Sequence, residues 1–80
     1  MGQADLPLAP GDAHARAFER CGWSIRQRRN HIILTKPGVR ATLSIPDHRE
    51  VKRALIAKLI KQAGMSEAEY LAAFHEQRRQ

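Results

Sequence analysis

The sequence predicts an α+β domain of order α-β-β-β-α with an extra C-terminal helix: a three-stranded antiparallel sheet with its helices on one face. Three observations predict it. Residues 23–45 alternate apolar and polar side chains at the period of a strand. Two turn signals, Arg29-Asn30 and Pro37-Gly38, cut that stretch into segments short enough to pair as hairpins. Helix-period segments closed by caps and glycines stand on both sides of it.

Residues 1–11 carry two prolines and two glycines with no usable periodicity, and read as a flexible N-terminal arm. Residues 12–76 read as one domain and 77–80 as a flexible tail. Asp12 is placed to cap a first helix over Ala13–Cys21, which sets His14, Ala17, Phe18 and Cys21 on one face. Gly22 suits the left-handed position that ends such a helix.

Three strands follow. In Trp23–Arg28, Trp23 and Ile25 share one side, and Ser24, Arg26 and Arg28 the other. In His31–Lys36, Ile32 and Leu34 oppose His31, Ile33 and Thr35. In Val39–Ile45, Val39, Ala41, Leu43 and Ile45 alternate with Arg40, Thr42 and Ser44. Pro37-Gly38 fits the centre of a type II turn, and Asn30 is the better candidate for a left-handed residue in the other turn.

A second helix is expected over Arg49–Ala63, capped by Asp47 or His48 and closed by Gly64. Its apolar face comprises Val51, Leu55, Ile56, Leu59, Ile60 and Ala63. Ser66-Glu67-Ala68-Glu69 is a capping box, with Met65 and Tyr70 at the spacing of a hydrophobic staple. A third helix therefore starts at Glu67 and buries Tyr70, Leu71 and Phe74. Helices on one face leave the other face of the sheet open to a ligand.

Charge is distributed unevenly. The net charge is +6, and residues 13–63 hold twelve bases against three acids. Between Gly22 and Ile45 stand Arg26, Arg28, Arg29, Lys36 and Arg40, no carboxylate, and one histidine, His31. A basic field on the folded part of a chain suits phosphates or an acidic protein partner more than a membrane surface. A single cysteine, Cys21, excludes an internal disulfide and fits a reducing compartment. With no secretory signal and no bilayer-length apolar run, a cytoplasmic location is expected.

Four histidines bear on chemistry. His31 lies on the polar side of its strand among arginines, which fits either a proton-transfer group at a phosphate or a plain surface histidine. His48 reads as a cap or packing residue, with a second proton-transfer role as the sharper alternative. His14 and His75 read as surface or core-edge residues. Cys21, His31 and His48 match no compact metal-ligand spacing, so neither a metal nor another cofactor is expected.

The ordered set of segments resembles the HicA-like (YcfA-like) toxins of bacterial type II toxin–antitoxin systems. The resemblance runs from about Ala17 to Phe74. It is carried by the helix ending in Gly22-Trp23, by Arg26-Gln27-Arg28 leading to His31, and by Thr42-Leu43-Ser44-Ile45-Pro46-Asp47-His48. Glu50-Val51-Lys52-Arg53 and Lys61-Gln62-Ala63-Gly64-Met65-Ser66 continue it. The resemblance implies a fold like the double-stranded-RNA-binding domain and activity as an mRNA interferase, a metal-independent endoribonuclease. It makes His31 the catalytic residue, with Arg26, Arg28, Arg29 and Arg40 on RNA phosphates and His48 and Lys52 as secondary candidates. The implied partners are mRNA and a HicB-like antitoxin protein that covers the His31 face.

Two departures from the family pattern stand out. Arg29-Asn30 replaces the usual Gly-Ser before the histidine, and Ala54-Leu55-Ile56-Ala57 replaces a Gly-Thr-Leu-Arg stretch. Two functions follow from the sequence: an endoribonuclease toxin, or a non-catalytic module of the same fold that binds RNA or an acidic partner.

Overall fold

The computed structural model describes residues 6–76, in the order α1 (Gly11–Arg20), β1 (Ser24–Arg28), β2 (His31–Lys36), β3 (Val39–Pro46), α2 (Arg53–Gln62) and α3 (Glu67–Glu76). The strands form one antiparallel sheet in the order β1-β2-β3. This is the α+β architecture that the sequence predicts. No helix among the described residues is long and apolar enough to cross a membrane.

Local sequence accounts for most boundaries. α1 closes as expected at Gly22, whose φ of 97° only glycine adopts readily. The Trp23 N–H donates to the Phe18 carbonyl at 3.1 Å and the Gly22 N–H to Glu19 at 3.0 Å, so the last carbonyls are satisfied. α2 ends in the same way at Gly64, with Met65 donating to Ile60 and Gly64 to Lys61. The capping box of α3 forms reciprocally: Glu69 N–H donates to Ser66 Oγ at 3.1 Å, and Ser66 N–H donates to Glu69 Oε1 at 2.8 Å. Those two bonds hold the Glu69 carboxyl below its ordinary range. Gly38, at φ 80° after Pro37, completes the expected type II turn between Lys36 and Val39.

The helices cover one face of the sheet. Phe18 and Ala17 of α1, Ile56 and Ile60 of α2 and Tyr70 of α3 enclose Ile32, Leu34, Leu43 and Ile45, all buried. α1 packs on all three strands and on α3, while α2 packs on β3 and α3.

Four expectations are corrected. The expected arm is packed from Leu6 onward: Leu6 is 1% exposed, and its carbonyl accepts a 2.7 Å bond from Arg53 Nε. The Ala9 carbonyl accepts from Val51 N–H at 3.0 Å. Residues 1–5 of that arm, and the expected tail 77–80, lie outside the described residues. α1 starts at Gly11, with Pro10 as its N-cap, so Asp12 lies in the first turn and caps nothing. α2 starts four residues late, with Lys52 at its N-cap in place of Asp47 or His48. Residues 47–51 are held outside the helix by bonds to the arm and the turn, including Gly11 N–H to His48 O at 2.9 Å and Asp47 N–H to Asn30 O at 3.1 Å. Asn30 is not left-handed, since no non-glycine residue among those described has a positive φ.

His14 is also a correction. It is fully buried, and neither a surface nor a core-edge residue. The Tyr70 hydroxyl and His14 Nδ1 form a short hydrogen bond of 2.5 Å, and the Phe74 ring lies 5.4 Å away between centroids. With the phenol as donor, the imidazole proton sits on Nε2, a buried atom with no hydrogen-bond partner among the described residues. Burial draws the His14 pKa down to about 4 and pushes the Tyr70 phenol up, while the Pro7 carbonyl acts on His14 weakly in the opposite sense. His75 is exposed, as expected.

Candidate functional site

Residues paired across an antiparallel sheet share a face, so the register decides which side chains meet. β2 pairs with β3 through His31 and Pro46, Ile32 and Ile45, Ile33 and Ser44, and Leu34 and Leu43. Ile32, Leu34, Leu43 and Ile45 are buried under the helices, so His31, Ile33 and Ser44 lie on the open face. His31 is exposed there, at the first residue of β2. Thr42 and Arg40 continue the same side of β3 and are exposed as well.

β1 breaks the alternation that its sequence suggests. Ile25 pairs with Leu34, but Gln27 pairs with Ile33 and Arg28 with Ile32. Arg26 is therefore the extra residue of a β-bulge, and Arg26 and Gln27 together oppose Ile33 on the open face. Beyond the bulge the faces exchange. Arg28, expected beside His31, shares the helix-side face with Ile32. Its guanidinium pairs with the Asp12 carboxylate of α1, and that carboxylate also accepts from Arg16 Nε at 3.0 Å. Arg28 thus spends its charge on α1. Gln27, which the sequence reading did not single out, occupies the position expected of Arg28.

The remaining predicted residues separate into near and far groups. Arg26 stands across from Ile33, two residues along β2 from His31, or roughly 7 Å at about 3.3 Å per residue. Arg29 is exposed in the turn before His31, and its N–H donates to the His31 carbonyl at 3.2 Å. Arg40 lies at the other end of the sheet, next to the Pro37-Gly38 turn and beyond an irregularity in the β2–β3 register between Leu34 and Lys36. Arg28 apart, Arg26 and Arg29 are thus the two arginines nearest the histidine along the chain and the register, whereas Arg40 lies farther along the same face.

His48 and Lys52 are exposed and lie together beside the far end of β3. With Pro46, Glu50, Val51 and Leu55 they line a cleft of 260 Å³. The cleft begins at Pro46, the residue paired with His31, and so adjoins the open face.

The open face therefore presents an exposed imidazole, exposed arginines and a row of hydroxyl and amide side chains from Ser24, Gln27, Thr42 and Ser44. None of the described residues on the three strands is a carboxylate. Chemically this surface can neutralise phosphates, donate hydrogen bonds to sugar and phosphate oxygens, and exchange a proton at His31.

Residues 11–65 match a protein-family model described as the HicA toxin of bacterial toxin–antitoxin. The match spans α1, the whole sheet and α2, and thus every residue of the open face. No curated protein matches the chain.

Proposed function

The chain belongs to the HicA toxin family of bacterial toxin–antitoxin systems, and from that premise we propose that it is an endoribonuclease that cleaves mRNA with His31 as its proton-transfer residue. Toxins of this family pair with antitoxins, and a HicB-like protein seated on the open face would block the reaction by covering His31.

The observation that carries the reading is the position of His31: exposed, at the start of β2, on a sheet face whose strands carry no carboxylate, with Arg26 across from Ile33 and Arg29 in the turn before it. In the proposed reaction the neutral imidazole takes the proton from a ribose 2′-hydroxyl, whose oxygen attacks the adjoining phosphorus. The bond from phosphorus to the 5′ oxygen breaks, and that oxygen is protonated as it leaves. The products are a 2′,3′-cyclic phosphate and a 5′-hydroxyl end. One positioned acid–base group of this kind contributes roughly 10²–10⁴-fold. Arg26 and Arg29 stabilise the charge that builds on the phosphate oxygens, and Arg40 holds the strand farther along. His48 is the second candidate for protonating the leaving oxygen, since it stands just past the Pro46 that pairs with His31.

The test is cleavage of an end-labelled single-stranded RNA by the purified chain. Cleavage to a cyclic phosphate is expected, with loss of about two orders of magnitude or more in His31→Ala. A substrate with 2′-deoxyribose at the scissile position should resist cleavage. Equal rates for His31→Ala and the wild type would overturn the mechanism. RNA bound but not cut would favour the binding module.

A further inference from the structure

The late start of α2 has a functional consequence at the edge of the sheet. Residues 47–51 do not continue the helix, and the chain between β3 and α2 leaves the 260 Å³ cleft lined by Pro46, His48, Glu50, Val51, Lys52 and Leu55. It is a cleft open to solvent and not an enclosed cavity, so a flat ring could lie against its wall with one edge exposed. Its apolar surface comes from Pro46, Val51 and Leu55, suited to the face of a flat ring. Its polar groups are His48, Glu50 and Lys52, which suit the edge of one.

Glu50 is the informative member. It is exposed on a strongly basic part of the chain, and among the described residues it makes no ion pair or hydrogen bond. An ionised carboxylate only accepts hydrogen bonds. It repels phosphate and accepts from the amino groups of bases, the pairing by which acidic side chains read cytosine. Uracil presents two carbonyl oxygens on the same edge and a single N–H between them, a poorer match to a carboxylate. Single-stranded RNA is read through bases splayed out of the stack, packed on side chains and hydrogen-bonded along such edges.

We propose that the cleft beside Pro46 is a base subsite, in which Glu50 accepts a hydrogen bond from the exocyclic amino group of a nucleobase next to the phosphate at His31. The inference rests on the endoribonuclease reading for the identity of the strand. It adds a selectivity to it: adenine, cytosine or guanine over uracil. His48 and Lys52 serve the same base or its sugar, and the phosphate contacts remain with Arg26 and Arg29.

The experiment measures affinity and cleavage of short single-stranded RNAs by the full chain, with adenine, cytosine or uracil flanking one scissile position in an otherwise fixed sequence. The wild type should bind and cut the adenine and cytosine substrates about tenfold better than the uracil one. Glu50→Gln should reduce that ratio to about threefold or less, and Glu50→Lys, which offers a donor to the uracil carbonyls, should reverse it. Salt-dependent binding and cleavage with no base preference, or a preference unchanged in both Glu50 variants, would overturn the subsite and leave the nuclease reading intact. A preference in binding that follows Glu50, without any cleavage, would support the subsite and sink the catalytic reading. An absence of RNA binding would overturn both.

Discussion

Gly11 and Pro46 meet so closely that a Cβ on Gly11 would lie 2.2 Å from the Pro46 carbonyl oxygen. That separation is far inside van der Waals contact, and the obstructing atom belongs to backbone. Gly11 is also the first residue of α1, and its N–H donates to the His48 carbonyl. Pro46 in turn pairs with His31. The N-terminus of α1 thus abuts the backbone that sets the position of the histidine and of the neighbouring cleft.

Gly11→Ala is therefore expected to move Pro46 or to displace α1. Overpacking of this kind typically costs about 1–3 kcal/mol, read as a lower urea midpoint at unchanged slope. RNA cleavage should fall more than the folded fraction does, because the strand end carrying His31 shifts with Pro46. Unchanged stability would mean that the two segments separate at little cost.

Arg26 and Arg28 are expected to differ in RNA binding, although they stand two residues apart in a basic run. The bulge puts Arg26 on the open face, while Arg28 pairs with Asp12 on the other side. For single strands, each lost phosphate contact lowers the slope of log affinity against log salt by about 0.7. Arg26→Ala should show that decrease, and Arg28→Ala should leave the slope unchanged. Both partners of the Arg28–Asp12 pair are more than a third exposed, so its loss should cost less than about 1 kcal/mol of stability. Equal decreases in slope for the two variants would place both arginines on the RNA, and no decrease in Arg26→Ala would remove Arg26 from it.

The same pair marks the limit of what the sequence discloses. The capping box, the glycines that end α1 and α2, and the Pro37-Gly38 turn were all legible, because each is a local solution to satisfying backbone groups or reaching a positive φ. The bulge was not, since Ser24–Arg28 contains one apolar residue, Ile25, too few to reveal a change of face. Nor was the packing of Leu6 and Ala9, whose partners Arg53 and Val51 lie more than 40 residues away. Those distant bonds also delay α2, and with it they create the cleft. His31 stands out in the sequence by its isolation among arginines, and alternation puts it on the polar side of β2, the side the register also gives it. Glu50 carries no local signal in the sequence, because only the fold brings it beside Pro46, Val51 and Leu55.

Folding stability is expected to fall as pH is lowered from about 6.5 to 4, owing to His14. Its folded-state pKa is drawn down to about 4, chiefly by burial, from an ordinary value of 6.5. Between those values the unfolded chain binds a proton that the folded chain refuses, so stability is present above the unfolded pKa and lost as pH falls toward the folded one. A depression of this size corresponds to about 3 kcal/mol over the whole window. His14→Gln keeps a hydrogen-bonding side chain next to Tyr70 but does not titrate. Urea unfolding at pH 7 and pH 4.5 should show a smaller loss in the variant, and carboxylates that titrate in both proteins cancel in the comparison. Parallel losses would remove His14 as the cause.

Replacing Arg29-Asn30 by the Gly-Ser pair usual in the family is expected to change binding more than cleavage geometry. Both residues have negative φ, so nothing in the turn's backbone demands a glycine. The turn is tied at both ends, through Arg29 N–H to the His31 carbonyl and Asp47 N–H to the Asn30 carbonyl, and both bonds use backbone atoms that the substitution keeps. Added freedom of the unfolded chain from glycine should cost about 0.4–1 kcal/mol. Loss of the Arg29 guanidinium should lower the salt slope by about 0.7 if that group contacts phosphate. Cleavage measured at saturating RNA should stay within about tenfold of the wild type, since His31 keeps its pairing with Pro46. A gain of several orders of magnitude would show instead that the bulky turn holds the phosphate away from the imidazole, and that Arg29-Asn30 restrains a competent site.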